Sequence, residues 1–136
     1  MTVAVNSEGR GGVLTIDVTG VTAATAGGIG AIANPEGTTL LILRTTWQVI
    51  TPSTGGANIG IGVAANATTK ATDMLNDLAA DGAITGKVYN GHVMQNGAKT
   101  EIAAPALWTA DKFVTITGSA SSVGMVARLY IEYVRL

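Results

Sequence analysis

Residues that commonly do chemistry are scarce in this chain of 136: one histidine, no cysteine and nine carboxylates. With no thiol and one imidazole, disulfides, thiolate nucleophiles, iron–sulfur clusters, Cys/His zinc sites and multi-histidine metal centres are excluded. His92, between Gly91 and Val93, could serve as a general base only with a nucleophile or acid in reach. It reads more simply as a lone surface or interface histidine. Asp73, Asp77 and Asp81 recur every fourth residue, and on a helix they would share one face. Paired carboxylates can do acid–base or calcium chemistry. Lacking a glycine-bearing D-x-D loop, these three read as the solvated side opposite Met74 and Leu78.

Two glycine motifs, Gly28-Ile-Gly30-Ala-Ile-Ala33 and Gly60-Ile-Gly62-Val-Ala-Ala65, match G-x-G-x-x-A. That fingerprint binds a pyrophosphate only where the glycines join a strand to a helix. The first match runs into Asn34-Pro35, and the second precedes a segment too short for the unit. With 18 glycines in the chain, such matches arise by chance. Gly82 to Val88 has a residue too few between its glycines for a P-loop, and Val88 stands where a magnesium-binding hydroxyl is needed. Trp47 lies on an apolar strand face and reads as core or subunit interface. Trp108 precedes a strand and could be exposed, but the remaining aromatics make a thin platform for stacking sugars. Asn66-Ala-Thr68 is a glycosylation sequon that matters only on secretion. No cofactor is implied and no residue is nominated for catalysis, so the chain is expected not to be an enzyme.

The elements that would position these residues are mostly strands, because period-2 patterning dominates. Thr39 to Ile50 sets Leu41, Leu43, Trp47 and Val49 against Arg44, Thr46 and Gln48. Ala57 to Val63 sets Ala57, Ile59, Ile61 and Val63 against Asn58, Gly60 and Gly62, whose small face leaves room for a close neighbour. The turn-rich segment Thr51-Pro-Ser-Thr-Gly-Gly56 between them predicts a hairpin. The closing segment alternates Met125, Ala127, Leu129, Ile131 and Tyr133 with a mixed face. Shorter strands are expected at Val13–Val18, Gly28–Ala33, Val88–Met94 and Lys112–Thr117. One segment has another period: Ala71, Met74, Leu75 and Leu78 sit at i, i+3, i+4 and i+7 and predict a short helix over 68–78. Thr68 or Thr69 would cap its start and Gly82 would follow its end. Many short strands with Gly and Pro turns and one isolated helix give an all-β fold class, an antiparallel β-sandwich that is jelly-roll-like or a related Greek key. The expected division is an extended N-terminal arm over 1–12 and one domain over 13–136.

Charged residues make up only 12% of the chain, the net charge is −1 and the mean hydropathy is +0.38. A solvated monomer normally carries about twice that share of charge, so part of this surface is expected to be covered by neighbours. The balanced, sparse charge lacks the footprint of a nucleic-acid binder. The uncharged stretch between Asp17 and Glu36 is rich in Gly and Thr and too mild to span a membrane. The N-terminus has neither a basic nor an apolar leader region, so no signal peptide is expected.

Three segments together resemble the jelly-roll decoration, or cement, proteins of tailed-phage capsids. They are TTLLILRTTWQVITPSTGGANIGIGVAANATTKATDMLNDL (38–78), PALWTADKFVTITGSASS (105–122) and GMVARLYIEYVRL (124–136). The resemblance is one of pattern and order, covers about two-thirds of the chain and does not extend to residues 1–37. It implies a homotrimer on the outer capsid surface of the virion, bridging copies of the major capsid protein and stabilising the expanded head. Assembly in a reducing bacterial cytoplasm suits the lack of cysteine. It also implies an N-terminal arm reaching the capsid, with Val3, Val5, Asn6 and Arg10 as candidate contacts that could add a strand to a capsid edge. Alternative readings are a head-fibre base or receptor-binding virion protein, and a carbohydrate-binding module.

Overall fold

The computed structural model of the chain describes residues 9–22, 28–81, 88–90 and 105–136. Among them the backbone forms nine strands and no helix. In order these are β1 (Gly11–Thr19), β2 (Gly30–Ala33), β3 (Leu40–Thr51), β4 (Asn58–Ala64), β5 (Leu75–Ala79), β6 (Val88–Asn90), β7 (Ala106–Trp108), β8 (Phe113–Gly118) and β9 (Val126–Arg135). One sheet has the order β1-β9-β3-β6, with β7 also on β3; the other has the order β2-β8-β4-β5. Every pairing is antiparallel.

With β7 set aside, the first strand pairs with the last and the second with the next to last, followed by β3 with β6 and β4 with β5. These pairs alternate between the sheets: β1·β9 and β3·β6 in one, β2·β8 and β4·β5 in the other. A long antiparallel ribbon wound into two sheets in this manner is a jelly roll. The fold is therefore the all-β sandwich expected from the patterning.

Alternation explains the core. β9 turns Ala127, Leu129, Ile131 and Tyr133 inward, with Met125 just before it. From the opposite sheet come Ile59 and Ile61 of β4 and Val114 and Ile116 of β8. Each large apolar side chain taken fully from water contributes about 1.5–3 kcal/mol, so this interleaved layer holds the two sheets face to face. Gly60 and Gly62 do admit a close neighbour, as their small face predicts. Residues 70–73 cross over them, and a Cβ on Gly62 would fall 2.6 Å from the carbonyl carbon of Ala71.

Three expectations are corrected. The helix over 68–78 does not form: the Asn66 side chain accepts hydrogen bonds from the Thr68 N–H and the Thr68 and Thr69 hydroxyls, and Leu75–Ala79 is a strand. Its helix-like spacing has another origin. Leu75 lies opposite Ile61 and Leu78 opposite Ile59, three steps against two, so an irregularity in the ladder turns both leucines inward. The hairpin of β3 with β4 does not form either, since the strands lie in different sheets. The connecting loop carries the chain across the sandwich, with Ser53 N–H on the Ala80 carbonyl and Thr54 N–H on that of Val123. Stacking lets both apolar faces meet, which side-by-side pairing would not. Finally, a register shift between Ile42 and Arg44 changes the phase of β3. Leu40 and Ile42 point inward before it and Thr45, Trp47 and Val49 after it, so Leu41 and Leu43 leave the face assigned to them.

Candidate functional site

The described residues of the chemical motifs lie on strands and their connecting loops. Asp73 Oδ1 accepts the Val63 N–H at 2.8 Å, a structural use of its carboxylate. Asp81 is exposed beyond the end of β5, and the side chain of Asp77 lies outside the described residues. No group of three or more His, Asp or Glu able to hold a metal occurs among the described residues. Gly30 opens an edge strand and Gly60 and Gly62 lie within β4, so neither glycine motif joins a strand to a helix. His92 lies outside the described residues, as does most of the Gly82–Val88 segment. Trp108 is not exposed: it is completely buried, and its indole Nε1–H donates to the Lys112 carbonyl at 2.9 Å. Its apolar ring faces the core because β7 pairs with β3, setting Trp108 opposite Leu40.

What the surface does offer is an apolar row at one end of the β1-β9-β3 sheet. Across the strands, Gly11 lies opposite Val134, Val134 opposite Leu41, and Leu41 opposite Leu107. The outward side chains of Val134, Leu41 and Leu107 lie at the same end of the sheet as Val13 on β1 and Leu43 at the β3 register shift. Val13 is 60% exposed, Leu107 52% and Leu43 47%. Leu136, just past β9, is also exposed, and its N–H donates to the Thr39 carbonyl. Single exposed leucines are ordinary; here apolar residues from four strands share one end of the sheet.

Charges at this end of the sheet are paired within the chain, Arg44 with Glu132 on the outward face beside the row and Arg135 with Glu36 on the inward face. Arg135 faces inward because it follows outward Val134 and lies opposite inward Leu40. Arg44 bonds Glu132 across β3 and β9, which raises the guanidinium pKa. Arg135 Nε meets Glu36 at 2.9 Å, and the Tyr133 hydroxyl donates to the same carboxylate at 2.6 Å. The Arg135 and Tyr133 hydrogen bonds, in that order, hold the Glu36 carboxyl below its ordinary value, while the tyrosine is pushed up. Glu36 is presented by a tight turn in which the Asn34 side chain accepts the N–H groups of Glu36 and Gly37, the latter at φ +68°. Arg135 also donates from Nη1 to the Gly9 carbonyl and from its backbone N–H to the Arg10 carbonyl. The chain therefore enters β1 beside the apolar row.

Of the sequence-predicted arm contacts, Arg10 is exposed at the head of β1, and Val3, Val5 and Asn6 lie outside the described residues. Gly11 and Gly12 belong to β1 and pair with Val134 and Tyr133. The apolar row was not legible in advance, because it depends on the phase change in β3 and on β7 lying beside that strand. Compared with known proteins, the chain matches no family model, no curated protein and no solved structure.

Proposed function

We propose that this protein is a non-catalytic structural component of a virion, a homotrimeric decoration protein that binds the outer surface of a tailed-phage capsid and stabilises it. The observation that carries the reading is the apolar row formed by Val13, Leu41, Leu43, Leu107 and Val134, with the Arg44–Glu132 charges beside it neutralised in place. Such a surface meets another protein with little unpaired charge to desolvate. The jelly-roll topology and the low charge of the chain support the same reading, together with the resemblance of three segments to capsid decoration proteins. In this proposal the row faces the lattice of major capsid protein.

The test is co-sedimentation with expanded, undecorated heads of the phage or prophage whose genome carries the sequence. The expected result is saturable binding at hundreds of copies per particle and heads that resist heating better. Occupancy of a few copies would point to a fibre base, and no binding to intact expanded heads would overturn the proposal.

A further inference from the structure

We propose that the free edge of β1 is a strand-accepting site, filled in the assembled protein by the N-terminal segment of a second copy. Among the described residues β1 lies at the margin of its sheet, paired only with β9. The Arg135 N–H bonds the Arg10 carbonyl at one end of this ladder, and the Gly20 N–H bonds the Met125 carbonyl at the other. In an antiparallel ladder the hydrogen-bonded positions alternate, so even-numbered residues of β1 face β9. Gly11, Val13, Thr15, Asp17 and Thr19 therefore turn their N–H and C=O groups to the open side. Sheet edges are normally protected by Lys, Pro or a bulge. This one has none of them: GGVLTIDVT runs in unbroken register from Gly11 to Thr19, and its only charge, Asp17, is held by Arg128 at 2.7 Å.

Behind that edge the described residues leave the sandwich open. A groove of about 180 Å³ separates β1 from the edge strand β2, and its walls include Ile16, Val18, Ile29, Ile32 and Ile116. Unpaired backbone above an apolar trough calls for an extended segment with apolar residues at alternate positions. Residues 2–6, Thr-Val-Ala-Val-Asn, have that pattern, with Val3 and Val5 on one face of a strand.

The occupant must come from another copy because of where the groove lies. Arg135 fixes the carbonyls of both Gly9 and Arg10. If the chain folded back on itself through the tightest turn, at Glu8-Gly9, Ser7 would face Arg10, Val5 would face Gly12 and Val3 would face Leu14. Neither valine would reach the groove, which begins at Ile16. A neighbour's segment carries no such restriction. This inference deepens the self-association in the proposed function and does not depend on capsid binding.

The absence of cysteine allows a clean test. Chains carrying Thr2→Cys, Ala4→Cys or Asn6→Cys are mixed pairwise, without capsids, with chains carrying Val13→Cys, Thr15→Cys or Asp17→Cys, and treated with a short bismaleimide. At least one mixture should give a linked dimer that neither partner gives alone. Thr15→Pro supplies a second arm: Thr15 faces away from β9, so proline removes an edge donor without breaking a ladder bond. It should leave the circular dichroism spectrum unchanged and weaken self-association at least tenfold. Linkage in no mixture, or linkage only when capsids are added, would overturn the exchange. So would an oligomer that persists undiminished in a folded Thr15→Pro protein and after deletion of residues 2–7, and that result would leave the oligomeric reading standing.

Discussion

Replacing Gly62 with alanine tests how tightly residues 70–73 are pressed onto β4. The new Cβ would fall 2.6 Å from the Ala71 carbonyl carbon and 2.7 Å from its Cβ, and would meet the Asp73 carboxylate. Carbon contacts are comfortable at about 3.5–4.0 Å, so the crossing segment must move out by roughly 1 Å. Overpacking of this kind costs about 1–3 kcal/mol. The same movement draws Asp73 off the Val63 N–H, now at 2.8 Å, and a hydrogen bond to a charged group is worth about 1.5–3 kcal/mol. Because part of each loss is recovered by relaxation of the segment, the expected destabilisation is about 2–4 kcal/mol. With a urea slope of about 2 kcal/mol per M, the midpoint should fall by about 1–2 M. The assay is urea unfolding followed by tryptophan fluorescence at one fixed protein concentration, since self-association shifts apparent stability. Gly30→Ala is the control. No atom lies within 4 Å of its added Cβ, so its effect should be neutral or stabilising by up to about 1 kcal/mol. If Gly62→Ala unfolds within about 0.5 kcal/mol of the parent, the close approach does not constrain the fold.

Other perturbations address the clamp, the core and the surface. Glu36 has its carboxyl held below the ordinary value of 4.5 by its bonds from Arg135 and Tyr133. A depressed carboxyl contributes stability above its unfolded value and loses it as pH falls through the folded one. The melting-temperature gap between the parent and Glu36→Gln should thus hold steady above about pH 5 and narrow below 4.5; a gap constant down to pH 3 would refute the clamp. Trp47 and Trp108 are both buried, so native emission should be blue-shifted, resist acrylamide and be unmoved by glycans; strong quenching would contradict the fold. Trp108→Phe leaves the Lys112 carbonyl without its indole donor and should cost about 1–3 kcal/mol by urea unfolding. Leu107→Lys, at a site 52% exposed, should alter stability by no more than about 0.5 kcal/mol yet reduce capsid binding at least tenfold; unchanged binding would remove the apolar row from the interface.

Legibility in the sequence followed the regularity of each ladder. β9 runs against β1 without interruption, and its alternating Met125 to Tyr133 series named its buried face correctly. The inward set Ala57, Ile59 and Ile61 was equally clear, as was the room left by Gly60 and Gly62. Errors arose where one backbone step breaks the period. The irregularity between Leu75 and Leu78 spaces two core leucines as a helix would, and the shift near Leu43 sends two apolar residues outward. The first falls at Gly60, between Ile59 and Ile61, a glycine in a strand that does mark an irregularity, whereas nothing at Leu43 announces the second. Local pattern also cannot say which sheet receives a strand, so Thr51 to Gly56 looked like a hairpin turn although it bridges the sheets. Trp108 was misread for a related reason: its burial depends on Leu40 and on the Lys112 carbonyl, not on its immediate neighbours. The apolar row gathers residues from four strands, so no window of sequence contains it.

Pairing first strand with last has a consequence for how the molecule comes into being. Asp17 and Arg128 touch although 111 positions separate them, and β9 fills the place between β1 and β3. In synthesis β9 follows every other described strand. Until it emerges, the inward residues of β1 and β3, Ile16, Val18, Trp47 and Val49 among them, have no central strand to join them. Chains dominated by such distant pairings fold slowly, and apolar faces left waiting are prone to aggregate. A nascent chain this poor in charge has little repulsion to keep it apart from its fellows during that interval. The same long-range closure that ties the finished sheet together makes the period before β9 the hazardous part of its life.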